Sequence, residues 1–508
     1  MSGSSTAKPD VSSMAKTAVP GLDDILNGGL AVGRLFLMEG SPGTGKTTMA
    51  MRFLMEGAAQ GEKTLYVTLS ETEQELRLAA ASYGWTFDEK VKIFELVPPE
   101  SLLDADQQQS LLYSSDLELG ETTKLIFDAV EHSEASRIVL DSLSEIRLLA
   151  QSSLRYRRQV LAMKHYFARR GSTVLMLDDL TTEALDKTVH SIAHGVIRLE
   201  ELAPDYGPER RRLRVVKYRA QAFRGGYHDF VIRNDGATVF PRLVSAEHHR
   251  TFTRLRLGTG VAGLDALLGG GIEQGSSTLL LGPAGAGKSV LTLQFVKAAL
   301  DRGENAAMFI FDEELGLLFD RAKPLGYDLK AWQESGRLGI VQLDAAELSP
   351  GEFAYRVRAS VEHADAKTVV IDSLNGYQTA MPQENSLILH MHELLQFLNR
   401  QGATTFLTVA QHGLLGSDMK APVDVTYLAD AVILLRYFEA RSAVKRAISV
   451  IKKRTGQHED TIREFTIRNG IHVGEPLIGF HGVLRGTPVM TNDRPTDARL
   501  AGSRIQAE

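Results

Sequence analysis

The chain has 508 residues, of which 43% are hydrophobic and 24% charged, so it is long enough for two to four globular domains. Lys and Arg total 57 against 63 Asp and Glu, and the net charge of -6 excludes an overall basic field for nucleic acid or anionic lipid. Cysteine is absent, which excludes disulfides, zinc ribbons and thiolate catalysis.

The first 16 residues, MSGSSTAKPDVSSMAK, lack an apolar core of signal-peptide length and are expected to form a flexible tail over 1–18. The longest apolar runs are strand-sized, far below the roughly 20 residues that a membrane helix needs. These features favour a cytoplasmic protein that does not bind membranes.

A strand is predicted from Leu35 to Glu39, followed by the loop GSPGTGKT and a helix from Lys46 to about Ala59. The pattern G-x-x-x-x-G-K-[ST] between a strand and a helix lets backbone N–H groups close around phosphate oxygens. Lys46 is expected to reach the β and γ phosphates of ATP, and Thr47 to bind Mg²⁺.

The next strands are predicted from Thr64 to Leu69 and from Arg137 to Leu140. Asp141 closes the second of them and is the expected carboxylate on the Mg²⁺ side, although an Asp in this place is often only a turn residue. Glu71, after the first strand, is the candidate for orienting or deprotonating an attacking water. Alternatively, Ser70 to Glu73 fits a capping box.

The same elements recur 242 residues later, because Gly21-Leu22-Asp23 matches Gly263-Leu264-Asp265 and Lys46 matches Lys288. Similarity also continues downstream, from RIVLDSLSEI to TVVIDSLNGY and from RVVKYRA to VIKKRTG. Two unrelated loops would not share their surroundings, so the sequence indicates a duplicated domain. The alternation of strands and helices predicts two tandem RecA-like P-loop domains with mostly parallel twisted sheets.

The predicted domains are 19–245 and 257–485, with the histidine-bearing segment 246–256 as linker and 486–508 as a C-terminal tail. In the second domain Ser289 and Asp372 are the expected Mg²⁺ ligands, and Asp312 and Glu313 are the candidate catalytic carboxylates. The ATP-binding residues predicted from the two loops are Gly40, Ser41, Pro42, Gly43, Thr44, Gly45, Lys46, Thr47, Thr48, Gly282, Pro283, Ala284, Gly285, Ala286, Gly287, Lys288, Ser289 and Val290.

Paired cations recur near the end of each domain, Lys217 with Arg219 and Lys452 with Arg454. At spacing i, i+2 both side chains lie on one face of a strand. Such a pair can be an ordinary solvated face, or it can reach the γ-phosphate of a neighbouring subunit in a ring. The run ERRRLR from Glu209 leaves two interpretations open, a nucleic-acid contact and the favoured solvated hairpin.

Together, the two P-loops, the GLD elements, the DS pairs and the K-x-R pairs resemble the KaiC family of double RecA-like ATPases over residues 19 to 485. The resemblance implies a homohexamer of two stacked rings, which could pair into a dodecamer, with ATP and Mg²⁺ between subunits. It further implies a slow ATPase in the first ring and a second ring that phosphorylates and dephosphorylates its own subunits, whose state a KaiB-like or other signalling protein could read. His458 matches a nucleotide-contacting histidine of the family.

The chain departs from the family at several of these positions. The family has two adjacent glutamates where this chain has Ser70-Glu71 and Asp312-Glu313, and Phe223 replaces the histidine of the first domain. The phosphorylated Ser-Thr pair aligns with Thr426 and Tyr427, which could instead simply begin the strand from Val432 to Tyr437.

Two other functions remain open. A RecA- or RadA-like DNA-dependent ATPase is disfavoured by the missing cysteines and the net charge. A scaffold that binds ATP only to assemble is disfavoured by the intact P-loops and carboxylates.

Overall fold

The computed structural model describes residues 14–87, 89–96, 111–180, 188–204, 207–311, 313–380, 384–411, 426–440, 442–485 and 489–490. It divides into two compact units, Met1–Arg242 and Leu243–Glu508. The domain boundaries proposed from the sequence stay a prediction. Within the predicted linker, 246–256, Arg250 N donates to Arg400 O, and Ser245 N just before it donates to Glu393, so this stretch packs on the second unit.

The first unit contains strands and helices in alternation. Its described strands are β1 (Met14–Ala15), β2 (Leu30–Ala31), β3 (Leu35–Gly40), β4 (Thr64–Thr68), β5 (Val91–Glu95), β6 (Arg137–Asp141), β7 (Thr173–Asp179), β8 (Gly195–Leu202), β9 (Arg210–Tyr218), β10 (His228–Arg233) and β11 (Gly236–Phe240). Its described helices are α1 (Leu22–Ile25), α2 (Lys46–Ala59), α3 (Glu73–Ser82), α4 (Leu111–Ser133), α5 (Leu143–Ala150), α6 (Ser153–Arg170) and α7 (Thr188–Ile192).

The second unit repeats this plan, with a short 3₁₀ turn at Ser245–Glu247 before its first strand. Its described strands are β12 (Arg256–Leu257), β13 (Ile272–Glu273), β14 (Ser277–Gly282), β15 (Asn305–Ile310), β16 (Leu338–Gln342), β17 (Ala366–Asp372), β18 (Thr404–Ala410), β19 (Ala431–Ala440), β20 (Ala443–Lys453), β21 (Arg463–Ile467), β22 (Ile471–Pro476), β23 (Phe480–His481) and β24 (Val489–Met490). Its described helices are α8 (Ala262–Leu267), α9 (Lys288–Asp301), α10 (Leu315–Ala322), α11 (Leu329–Glu334), α12 (Pro350–Glu362), α13 (Leu374–Ala380) and α14 (Glu384–Gln401).

Within the described residues each unit has one 9-stranded sheet, and the two strand orders are equivalent. The first is β5-β4-β6-β7-β3-β8-β9-β10-β11 and the second is β16-β15-β17-β18-β14-β19-β20-β21-β22. In each sheet the first six strands are parallel and the last three antiparallel. The predicted fold class, two tandem RecA-like domains with mostly parallel sheets, is therefore confirmed.

Both faces of each parallel sheet are covered, which is why its strands read as continuous apolar runs. In β3, Phe36 and Met38 pack with Phe53 of α2, whereas Leu37 belongs to the cluster on the other face with Val160 of α6. Helix packing on both faces of the sheet fixes the positions of the strands, and therefore the positions of the loops at their carboxyl ends.

The basic run ERRRLR forms strand β9, which pairs antiparallel with β8. Arg211 lies 2.9 Å from Glu201, and Arg212 lies 2.8 Å from Glu200 while its guanidinium stands 3.9 Å from the ring centre of Tyr227. These contacts support the hairpin interpretation, since the strand's charges are offset by its neighbours.

His228 is a buried pH-sensitive residue near the end of the first unit. Its Nδ1 accepts from Arg242 N at 2.9 Å and its Nε2 donates to Arg224 O at 3.0 Å, so the neutral ring satisfies both groups. Burial lowers the pKa of His228 to about 4, with Arg242 and Arg224 adding repulsion. Protonation would remove the acceptor that Arg242 N needs.

We predict that the first unit loses stability as pH falls from 6.5 towards 4, because the unfolded chain binds a proton that folded His228 does not. The expected loss from this residue is about 3 kcal/mol. Urea unfolding of the wild type and His228→Gln across this range measures it, and His228→Gln should flatten the pH dependence. An unchanged slope would contradict the assignment.

Candidate nucleotide site

The first P-loop lies between β3 and α2, at the carboxyl end of the parallel strands. Lys46 is buried, and its Nζ donates to Gly40 O at 2.8 Å and to Ser41 O at 3.0 Å. Helix α2 begins at Lys46 after Gly45, without a side-chain cap on its first N–H groups. An uncapped helix N-terminus with converging N–H groups favours an anion such as a phosphate.

Position 45 requires glycine because its φ is positive and because a neighbouring side chain leaves no room for a Cβ. Its φ is +98°, and an added Cβ would lie 2.5 Å from Ile232 Cδ1. The equivalent Gly287 has a φ of +105° and would meet Ile467 at 2.7 Å. The two P-loops therefore share the same close packing against the antiparallel part of their sheets.

On the Mg²⁺ side of the first unit, Thr47 Oγ1 donates to Asp141 Oδ2 at 3.4 Å and Tyr66 OH donates to the same oxygen at 2.5 Å. Burial raises the pKa of Asp141, and the nearby Asp179 raises it further. Among the described residues, no group of three or more His, Cys, Asp or Glu is arranged to hold a metal by itself. One hydroxyl and one carboxylate fit Mg²⁺, which completes its shell with waters and phosphate oxygens.

Glu71 stands between β4 and α3, where its N–H donates to Thr68 Oγ1 at 3.0 Å. The capping box of α3 is formed by Thr72 and Glu75, so the alternative that Ser70 and Glu73 form it is wrong. The Glu71 side chain therefore does not take part in the capping box of α3. Burial is the main cause that raises the pKa of Glu71, and repulsion from Asp141 and other carboxylates raises it further.

The second P-loop has the same plan with different neighbours. Lys288 Nζ donates to Gly282 O and Pro283 O, both at 2.9 Å, and burial lowers the pKa of Lys288. Asp372 accepts from Thr408 Oγ1 at 2.5 Å rather than from a tyrosine. Glu313 lies 2.7 Å from Arg321, while burial raises the pKa of Glu313. Asp312 lies outside the described residues.

The K-x-R pairs lie at the opposite edge of each sheet from their own P-loops. In the first unit Lys217 donates to His190 O and Ala193 O, and Arg219 donates to Ser191 O at 2.6 Å. Burial lowers the pKa of Lys217, with Arg219 adding repulsion.

In the second unit Lys452 donates to Thr426 O and Ala429 O, both at 2.9 Å, and Arg454 donates to Tyr427 O at 2.6 Å. Thr426 and Tyr427 form a turn before β19, which begins at Ala431, so the alternative that they begin the strand is wrong.

His458 lies in the loop after β20 and is half-buried. Phe223, at the matching place in the first unit, packs against the hydrophobic cluster that includes Phe53. At this position the loop of the first unit therefore has an apolar phenylalanine, and the loop of the second unit has an imidazole.

The sequence analysis missed a cavity of about 830 Å³ beside α2 of the first unit. Its lining includes Thr48, Arg52, Trp85 and Asn234, and the Tyr83 and Trp85 rings stand 5.0 Å apart. Thr48, in the first turn of the P-loop helix, places this cavity beside the P-loop. Its signal in the sequence was the pair of aromatics in SYGW, 37 to 39 residues after Lys46.

The structure also brings two unpredicted carboxylates to the first site. Asp179 Oδ1 lies 2.6 Å from Lys46 Nζ. Glu39, buried directly before Gly40, accepts from His190 Nε2 and Arg198 Nε, both at 2.7 Å. Asp178-Asp179 ends an apolar run as Asp141 does, and this resemblance could have revealed it.

A family model described as the KaiC ATPase matches residues 15–244 and 257–477. The chain belongs to the KaiC ATPase family. It is 28% identical over 494 residues to the circadian clock protein KaiC3 of Synechocystis sp., covering 96% of both chains. It is 27% identical over 499 residues to the circadian clock oscillator protein KaiC of Thermostichus vulcanus, covering 96% of this chain and 94% of that one. It is also 27% identical over 485 residues to that of Synechococcus elongatus, covering 93% and 91%.

This KaiC-family chain is thus an ATP-binding ATPase with a duplicated domain. Among its described helices none combines the length and apolar character needed to cross a bilayer.

We predict that Gly45→Ala weakens nucleotide binding at the first site and destabilises the first unit by about 2 kcal/mol, because of the positive φ and the contact with Ile232. Gly61→Ala is the matched control, since its φ is +87° but an added Cβ would meet nothing within 4 Å. Urea unfolding and ATP titration of both variants measure the difference. Equal losses would show that the contact with Ile232 is unimportant.

Proposed function

We propose that this KaiC-family ATPase is a self-phosphorylating switch, assembled as a homohexamer of two stacked rings, whose nucleotide or phosphate state is read by a protein partner such as a KaiB-like protein. The supporting observation is the same in both units. A P-loop lysine and a Mg²⁺-side carboxylate lie at one edge of the sheet, while a lysine-arginine pair lies at the other.

In the first unit, Lys46 and the N-terminus of α2 bind the phosphates of ATP, and the neighbouring cavity takes the base and ribose. Thr47 and Asp141 would hold Mg²⁺, which when bound would neutralise developing charge on the phosphates. Glu71 accepts a proton from the attacking water as the new O–Pγ bond forms and the bond from Pγ to the bridging oxygen breaks. Its raised pKa brings it closer to the operating pH, as a general base requires.

The cation pairs act on the neighbouring subunit's nucleotide in this proposal. Gly195, which begins β8, pairs with both Phe36 of β3 and Tyr218 of β9, so Lys217 and Arg219 lie beside the start of β3. The P-loop begins at its other end, roughly 15 Å away. These side chains are too far away to reach their own unit's phosphates, and a ring would bring them to the adjacent site.

A subunit-mixing experiment tests action between subunits. With Glu313→Gln in every chain to silence the second ring, Lys46→Ala and Arg219→Ala chains should each release little phosphate from ATP. Mixed hexamers should recover a substantial fraction of the first-ring rate, because some interfaces combine an intact Lys46 with an intact Arg219.

The control for mixing is a pair of chains that both carry Lys46→Ala, which should recover nothing. If the Lys46→Ala and Arg219→Ala mixture also recovers nothing, although native mass spectrometry detects mixed hexamers, Arg219 does not act in trans.

In the second unit, the Thr426 hydroxyl of one subunit attacks the γ-phosphorus of its neighbour's ATP. The Oγ–Pγ bond forms, the bond from Pγ to the β–γ bridging oxygen breaks, ADP leaves, and the proton passes to Glu313. Asp312 is proposed beside Glu313 as a second base. Tyr427 is the alternative acceptor, with its side chain half exposed in the same turn.

Mass spectrometry of the protein after incubation with Mg²⁺-ATP tests the kinase step. We expect one phosphate on the peptide containing Thr426 and Tyr427, lost in Thr426→Ala, retained in Tyr427→Phe, and reduced at least tenfold in Glu313→Gln. ATP consumption without any phosphate on the chain would refute self-phosphorylation and leave a two-ring ATPase switch.

The two competing functions predict different results. A DNA-dependent motor of the same fold would bind single-stranded DNA in a salt-sensitive manner and turn over ATP faster with it. A scaffold would assemble with ATP and release no phosphate. We do not propose a clock role for this chain from its relatives' names, because one fold hosts many functions.

A further inference from the structure

The Lys46 ammonium contacts three oxygen atoms. Two are the P-loop carbonyls of Gly40 and Ser41, and the third is Asp179 Oδ1 at 2.6 Å. An ammonium group has three N–H donors and no more. A phosphate that engages Lys46 must therefore take the place of one of these partners, and Asp179 is the only one of the three that carries a charge.

Asp179 stands where the γ-phosphate end of a nucleotide is expected. Its strand β7 lies between β3, which leads into the P-loop, and β6, which ends at Asp141. Asp179 pairs in register with Gly40, the first glycine of the loop. Its side chain is 27% exposed and that of Lys46 is 7% exposed, so solvent screens this contact only partly.

The second unit carries an alanine at the position equivalent to Asp179. Gly282, the counterpart of Gly40, pairs in register with Ala410 of β18. Alanine cannot compete for Lys288, which is held by the carbonyls of Gly282 and Pro283. The two P-loops thus match in their backbone, but of their two lysines only Lys46 forms an ion pair within the described part of the chain, whereas Asp372 acts on Lys288 from a longer distance.

We infer that Asp179 is a specificity-determining residue that competes with the nucleotide phosphates for Lys46, so that the first P-loop binds ATP more weakly, relative to ADP, than the second P-loop does. The negatively charged γ-phosphate of ATP and the Asp179 carboxylate repel each other. ADP has no γ-phosphate and is therefore repelled less. This inference rests on nucleotide binding at the first P-loop.

The direct test is Asp179→Asn, which keeps the shape and removes the charge. In a Lys288→Ala background, so that only the first site is titrated, calorimetry with Mg²⁺ and either the non-hydrolysable analogue AMP-PNP or ADP measures both affinities. We expect about tenfold tighter AMP-PNP binding and a smaller gain for ADP. The reciprocal change, Ala410→Asp in a Lys46→Ala background, should weaken AMP-PNP binding at the second site by a similar factor.

Ser144→Ala is the matched control, because the Ser144 hydroxyl donates to the other carboxylate oxygen of Asp179 at 3.5 Å and carries no charge. It should leave the ratio of the two affinities unchanged. Thermal unfolding without nucleotide checks that each variant folds.

The inference is overturned if Asp179→Asn leaves the ratio of AMP-PNP to ADP affinity as it was, or if Ala410→Asp has no effect on the second site. Failure of the proposed function gives a different result. In that case chains carrying Lys46→Ala and Lys288→Ala singly would bind as much nucleotide as the wild type.

Discussion

The parallel pairing of β3 with β7 and β8 is the constraint on which the rest of the first unit depends, and β14 with β18 and β19 repeats it. Parallel strands bring all their carboxyl ends to one edge, so the P-loop, Asp141 and Glu71 meet there without being close in sequence. Strands β9 and β20 run antiparallel to β8 and β19, so they end beside the amino ends of the parallel strands, and the cation pairs at their ends lie there. A single sheet thus keeps the P-loop and the lysine-arginine pair of one unit apart, and the proposed ring would bring the pair to the P-loop of a neighbouring copy.

The two units have matching backbones but different side chains on the strands that end beside the P-loop. Glu39 and Asp178 pair across β3 and β7 in the first unit, and Leu281 and Val409 pair at the same register in the second. Buried carboxylates require partners. Glu39 is held by His190 and Arg198, and Asp178 by Arg147, yet burial still raises the pKa of Asp178 to about 6. The first site is consequently the more acidic and electrostatically coupled one, whereas the second is embedded in apolar side chains.

The parts of the fold that could be predicted from the sequence are those encoded locally. The helix from Lys46 to Ala59 has the predicted bounds, and the strand ending at Asp141 differs by one residue, because hydrophobic runs and glycine loops identify such elements directly. Partners that depend on register were missed. Asp179 looks like a strand-terminal residue, and only its pairing with Gly40 brings it to Lys46. The capping box was misassigned by two residues because Ser70 and Thr72 both fit its pattern, and the choice depends on where α3 begins.

The contacts of Lys452 give the proposed switch a physical basis. Its ammonium has three donors, and two of them hold the carbonyls of Thr426 and Ala429, on either side of Tyr427. If this lysine moves to reach a neighbour's phosphate as proposed, its contacts with the two carbonyls of the turn change with it. The neighbour's nucleotide would then alter the position of the hydroxyl that receives its phosphoryl group. In the first unit Lys217 donates to the carbonyls of His190, in helix α7, and of Ala193, and the His190 side chain binds Glu39 next to the P-loop. The equivalent lysine contacts thus lead to the proposed phosphoryl acceptor in the second unit and back towards the unit's own P-loop in the first.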